Sequence, residues 1–202
     1  LFLDSTVVEE QSGLERVFHA AEKHKGNPVL VADKPWEKTG RYPGPHLFGT
    51  VMWDEGKIRM WYRCYTPGEV FCYAESDDGI HWTKPELGIY PHGDSKANNI
   101  YLGPASDLDG TGESVPGRRF HTAMVFRQRG DVPAEKRYAL FGYMLGPPRH
   151  RVAFSADGLR WTFVPGTLEK GLFGGGDAST YGYDPYTGRY FAMRKAGSLG
   201  LG

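Results

Sequence analysis

Short apolar, aromatic-rich runs alternate with polar turns that carry Gly or Pro along most of this chain. Residues 50–62 read T-V-M-W-D-E-G-K-I-R-M-W-Y. Residues 122–143 place an R-Q-R-G-D-V-P-A-E-K loop between two apolar runs, and residues 180–193 read T-Y-G-Y-D-P-Y-T-G-R-Y-F-A-M. Each pattern predicts a β-hairpin. A second unit follows the first two hairpins. Residues 73–82 (Y-A-E-S-D-D-G-I-H-W) and 152–161 (V-A-F-S-A-D-G-L-R-W) both fit x-A-x-S-x-D-G-x-x-W, 79 residues apart. Alternation before the Ser predicts a strand. Asp-Gly predicts a turn, because Gly reaches positive φ at no steric cost. The Trp then returns to pack on the preceding strand.

The organisation is therefore strand, turn, strand, strand, Asp-Gly turn, repeated. Four-stranded antiparallel units repeated about an axis make an all-β propeller. Two full blades and the start of a third fit into residues 1–202, read as a single, partial propeller domain. Residues 1–26 form a lead-in and 27–202 hold the blade repeats. Within the lead-in, 1–8 read as a strand and 14–25 as a short helix or an extended segment. A chain ending inside a blade has an open edge. The expectation is a longer parent protein, or self-association through such edges.

Composition agrees with this picture. The chain has 12 Tyr, 11 Phe, 28 Gly and 14 Pro, which suits short strands and tight turns rather than a helical bundle. Lys+Arg and Asp+Glu are both 24, so there is no basic excess for nucleic acid or an acidic membrane surface. No apolar run approaches the roughly 18 residues of a membrane span. No signal peptide is visible from Leu1 onward. Cys64 and Cys72 flank the turn Thr66-Pro67-Gly68-Glu69, so either a cross-hairpin disulfide or two packed thiols is expected.

Four stretches carry a family resemblance: N-P-V-L at 27–30 with P-W-E at 35–37, S-D-D-G-I-H-W-T-K-P at 76–85, N-N-I-Y-L at 98–102, and D-A-S-T-Y-G-Y-D-P-Y-T-G-R-Y at 177–190. They resemble the five-bladed propeller glycoside hydrolases of families 32, 43 and 130, nearest to bacterial proteins labelled family 32-like. The resemblance implies a five-bladed whole protein, carbohydrate as the partner, and a secreted or periplasmic location. The family motifs W-M-N-D-P-N-G, R-D-P, E-C and E-D-P-R are absent. Site residues must therefore be placed by position in the repeat.

In such propellers the innermost strand of each blade starts at the axial mouth. That zone holds His46, Arg119 with His121, and Asp177 after three glycines. A glycosidase uses two carboxyl groups, one as acid and one as base or nucleophile. The expected carboxyls are Asp177 and Glu37. The expected sugar contacts are His46, His121, Arg119 and a platform at Trp36. Asp78, Asp157 and Asp184 are expected to hold turns. Residues Asp107, Asp109 and Glu113 space oxygen ligands as a calcium loop does, but depart from the usual pattern. No zinc spacing and no phosphate loop appear. The function expected is glycosidic bond cleavage at the propeller mouth. The alternatives are a non-catalytic carbohydrate-binding propeller and a scaffold propeller for protein contacts.

Overall fold

The computed structural model describes residues 8–66, 68–104, 119–145, 150–164, 179–184 and 186–194. The first hairpin pairs β1 (Pro45–Asp54) with β2 (Lys57–Cys64). Asp54 opposes Lys57, leaving Glu55 and Gly56 as a two-residue loop with φ of 51° and 81°. Two successive positive φ values give the turn whose twist matches that of the flanking strands. β3 (Val70–Ser76) and β4 (Ile100–Leu102) complete a sheet ordered β1-β2-β3-β4. The pattern recurs as β5 (Arg119–Arg127), β6 (Tyr138–Leu145), β7 (His150–Ser155) and β8 (Thr162–Phe163). A third hairpin joins β9 (Ser179–Asp184) to β10 (Arg189–Arg194). β1 lies against β5 and β5 against β9, so the first strands of successive blades line up. This is a propeller of four-stranded antiparallel blades.

The repeated Ser-x-Asp-Gly unit folds by local hydrogen bonding. Ser76 Oγ accepts from the backbone N–H of Asp78 (3.2 Å) and Gly79 (2.9 Å), and Ser155 Oγ does the same for Asp157 and Gly158. Asp78 Oδ1 accepts from Ile80 and His81, and Asp157 Oδ1 from Leu159 and Arg160, all at 2.8 Å. Gly79 and Gly158 sit at φ of 77° and 79°, where a side chain is strained. Asp78 and Asp157 thus hold turns, and Asp184 does so through Tyr186 N and the Thr187 hydroxyl.

The main core fills the space between blades one and two, around Trp61, Phe71, Phe120, Tyr138 and Leu140. Trp61 Nε1 crosses from blade one to donate to Gly158 O at 2.7 Å. At the turn end of the strands, the Tyr138 hydroxyl donates to Asp54 Oδ2 (2.5 Å) and accepts from Arg59 (3.0 Å) and Arg127 (3.1 Å). A second core lies on the other face of blade one, around Trp36, Tyr62, Cys72 and Ile100.

Two open alternatives resolve here. Residues 14–24 carry no regular structure, so the short helix, one of the two readings of the lead-in, does not form, and Leu14 and Phe18 are exposed. Cys64 opposes Val70 while Cys72 opposes Tyr62, so the cysteines are offset by two positions rather than facing. Both are buried free thiols. Burial, then a hydrogen bond to Cys64, pushes the Cys72 thiol well up. The strand expected over 1–8 falls almost wholly outside the described residues.

Candidate functional site

β1, β3, β5, β7 and β9 start where β2 and β6 end, so one rim collects residues from three blades. The register shifts there on both leading strands: between His46 and Thr50 on β1, and between Phe120 and Thr122 on β5. The second shift leaves His121 as the extra residue. Such bulges bend a strand and redirect a side chain. Around them lies a belt of aromatic and ionisable groups. The His46 ring meets Tyr65 edge-on at 4.9 Å, and Tyr65 meets His121 at 6.4 Å. His46 Nε2 is 3.0 Å from Tyr42 O.

His121 Nδ1 is 3.2 Å from Glu69 Oε2, joining β5 to the start of β3. The Glu69 side chain is 11% exposed and that of His121 18%. Arg63 lies beneath, fully buried, with its guanidinium over Tyr65 at 3.8 Å and Phe48 at 4.3 Å. It donates to His121 O and lies 4.0 Å from Glu69 Oε2. The belt continues through Tyr143, 6.5 Å from His121 and 5.2 Å from His150. His150 Nδ1 is 2.6 Å from the Tyr181 hydroxyl. Burial pushes that phenol up, so it stays neutral.

Of the residues expected at the mouth, His46 and His121 stand on this rim. Arg119 opens β5 opposite Leu145. Asp177 lies outside the described residues, as do Asp107, Asp109 and Glu113. Trp36 and Glu37 sit elsewhere, inside the second core. Trp36 is 8% exposed and donates through Nε1 to Asn99 Oδ1 at 2.9 Å. Glu37 is fully buried: Oε1 accepts from Tyr62 (2.6 Å), and Oε2 from Asp33 N, Lys34 N and Lys84 Nζ (2.7 Å). Neither the Trp36 ring nor the Glu37 carboxylate is offered to a ligand. Both features that suggested chemistry, an indole beside a carboxylate, fasten the 27–37 segment to blade one.

Glu69, Tyr65, Arg63 and His150 were not singled out from sequence. Glu69 stood in a Pro-Gly turn signal, which explains its presence without any chemistry. A concave surface lined by Val8, Glu10, Leu14 and Phe18 belongs to the lead-in and holds none of the belt residues. Among the described residues no group of three His, Cys, Asp or Glu side chains is placed to hold a metal.

Among solved structures, 88% of the chain aligns with a fructofuranosidase from Schwanniomyces occidentalis bound to fructosylnystose, at a TM-score of 0.50 and 12% identity. The chain carries the β-propeller fold of glycoside hydrolases. It spans only 33% of that enzyme's length. A family 43 β-1,3-galactosidase aligns over 74% of this chain and 29% of its own, at TM-score 0.47 and 13% identity. An exo-β-1,3-galactanase from Phanerochaete chrysosporium with galactose aligns over 82% and 36%, at TM-score 0.45 and 10% identity. No protein-family model and no curated protein matches the chain.

Proposed function

We propose that this chain forms part of a secreted or periplasmic carbohydrate-active propeller that cleaves a glycosidic bond at the rim described above. One observation carries the reading: His46, Tyr65, Glu69 and His121, from two blades, converge where bulges redirect the leading strands. Aromatic rings can lie against the C–H faces of a sugar, while imidazole and carboxylate groups can bond its hydroxyls. His46, His121 and Arg119 are assigned to sugar contact. Asp177, two residues before β9 in sequence, is assigned as one of the two carboxyls that hydrolysis uses. Glu37 and Trp36 are assigned to structure, because all their polar contacts are internal.

The test is sugar release from arabinan, xylan, galactan, fructan and mannan by the full chain, with His121→Ala and Asp177→Asn alongside. Cleavage lost in both variants supports the reading, and unchanged cleavage in both rejects it. The burial of Glu37 favours a second reading, a binding propeller without turnover, because it removes one expected carboxyl from the mouth. Saturable binding of an oligosaccharide with no product formed would select it.

A further inference from the structure

The rim also carries the carboxylate of Glu69, against His121. Glu69 follows Gly68, which takes φ of 99° and already supplies the turn. Glu69 itself stands at φ of 56°, one of two non-glycine residues with positive φ among those described. The other, Glu55, sits in a two-residue hairpin loop that demands it. A bulky residue in this region is strained, and such strain concentrates at functional sites. Here it sets the carboxylate at the start of β3, against the bulged His121 of the next blade. A Gly or Asn would accept this backbone with less strain but would not carry a carboxylate.

We infer that Glu69 is the proton donor of the rim site and that His121 is its positioning partner. This rests on the hydrolase reading above. Protonated Glu69 gives its proton to the bridging oxygen while the anomeric carbon–oxygen bond breaks, its electron pair staying with that oxygen. The leaving group departs as an alcohol. Water supplies the oxygen that bonds the anomeric carbon, its proton passes to the second carboxyl that hydrolysis uses, and Glu69, held by the His121 contact at 3.2 Å, is reprotonated from solvent. Arg63, 4.0 Å away and stacked under Tyr65, is the charged group that faces the carboxylate from β2.

A structural ion pair would use the same atoms, so the test separates the two roles. The full chain and Glu69→Gln are compared on 2,4-dinitrophenyl and methyl glycosides of galactose, arabinose, xylose, fructose and mannose. Dinitrophenolate leaves without a proton, and an alkoxide does not. A proton donor's loss lowers the methyl glycoside rate about 100-fold or more. The dinitrophenyl rate of Glu69→Gln then stays within about tenfold, and His121→Asn alters the pH profile of methyl glycoside cleavage. Equal loss on both substrates, or loss on neither, overturns the assignment. If Glu69→Gln fails to fold, Glu69→Asp keeps an acid at shorter reach. It must then lose rate selectively on the methyl glycosides, and loss in step on both classes overturns the assignment. A wild-type chain that cleaves neither class overturns the hydrolase reading itself, a result distinct from a variant whose two rates fall together.

Discussion

Replacing Lys84 with methionine removes the cation from the second core while keeping most of its volume. Lys84 Nζ is 2.7 Å from Glu37 Oε2, 2.5 Å from Asp33 Oδ1 and 2.7 Å from Val31 O. Its side chain is 6% exposed and that of Glu37 is 0% exposed. The variant leaves the Glu37 carboxylate buried, with the Tyr62 hydroxyl and two backbone N–H groups but no counter-charge. Breaking a buried pair from one side costs about 3–5 kcal/mol. The Asp33 contact adds little, since Asp33 is half exposed. At roughly 2–4 °C per kcal/mol for a chain of this size, the melting midpoint falls by about 10 °C. Adding Glu37→Gln to Lys84→Met restores most of the loss, because the stranded charge is gone. Urea unfolding of the two single variants and the double variant measures this. A cost below about 1 kcal/mol for Lys84→Met, or a double variant worse than either single, refutes the argument.

Other substitutions test the blade contacts and the turns. Tyr138→Phe strips the hydroxyl from Asp54, Arg59 and Arg127 and costs about 1–3 kcal/mol, read by thermal melting. Gly158→Ala sets a methyl at φ of 79° and 3.1 Å from the Trp61 ring. It destabilises more than Gly130→Ala, which has a similar φ of 80° but open space around it. The Gly130 change alone costs about 1–2 kcal/mol. Burial pushes the Asp157 carboxyl up, but hydrogen bonds from Arg160 N, Leu159 N and Ser155 outweigh it and hold it below its ordinary value. The Thr187 hydroxyl and Tyr186 N do the same for Asp184. A lowered folded value means stability that is present above the unfolded value of about 3.9 and lost as pH falls through the folded one. The urea midpoint therefore drops between about pH 5 and pH 2, and Asp157→Asn flattens that drop. An unchanged slope in the variant contradicts the assignment.

What the sequence disclosed was mostly local. Glu55-Gly56, Ser-x-Asp-Gly and Asp184 specify their turns through contacts within a few residues, so the hairpins and blade repeat were readable. Contacts between blades were not. Glu69 and His121 are 52 residues apart, and Trp61 and Gly158 are 97 apart. Neither pairing leaves a periodicity. The Trp36-Glu37 dipeptide was read as surface chemistry because composition cannot show burial. Its burial depends on Tyr62, Lys84 and Asn99, which lie on three separate later segments.

The two Asp-Gly turns share a sequence but not a wiring. In blade one the Gly79 carbonyl accepts from the blade's own Trp82 Nε1 at 3.0 Å. In blade two the corresponding carbonyl, Gly158 O, is taken by Trp61 of the preceding blade, and Trp161 Nε1 is buried with no hydrogen-bond partner among the described residues. The counterpart of β2 in blade two is β6, which contains no tryptophan. Blade two placed ahead of blade one would have no indole to reach Gly79 O, and Trp61 would lose its acceptor. The repeats are thus addressed rather than interchangeable. A permuted protein would keep every local turn yet lose the hydrogen bond that tells one blade which neighbour comes next.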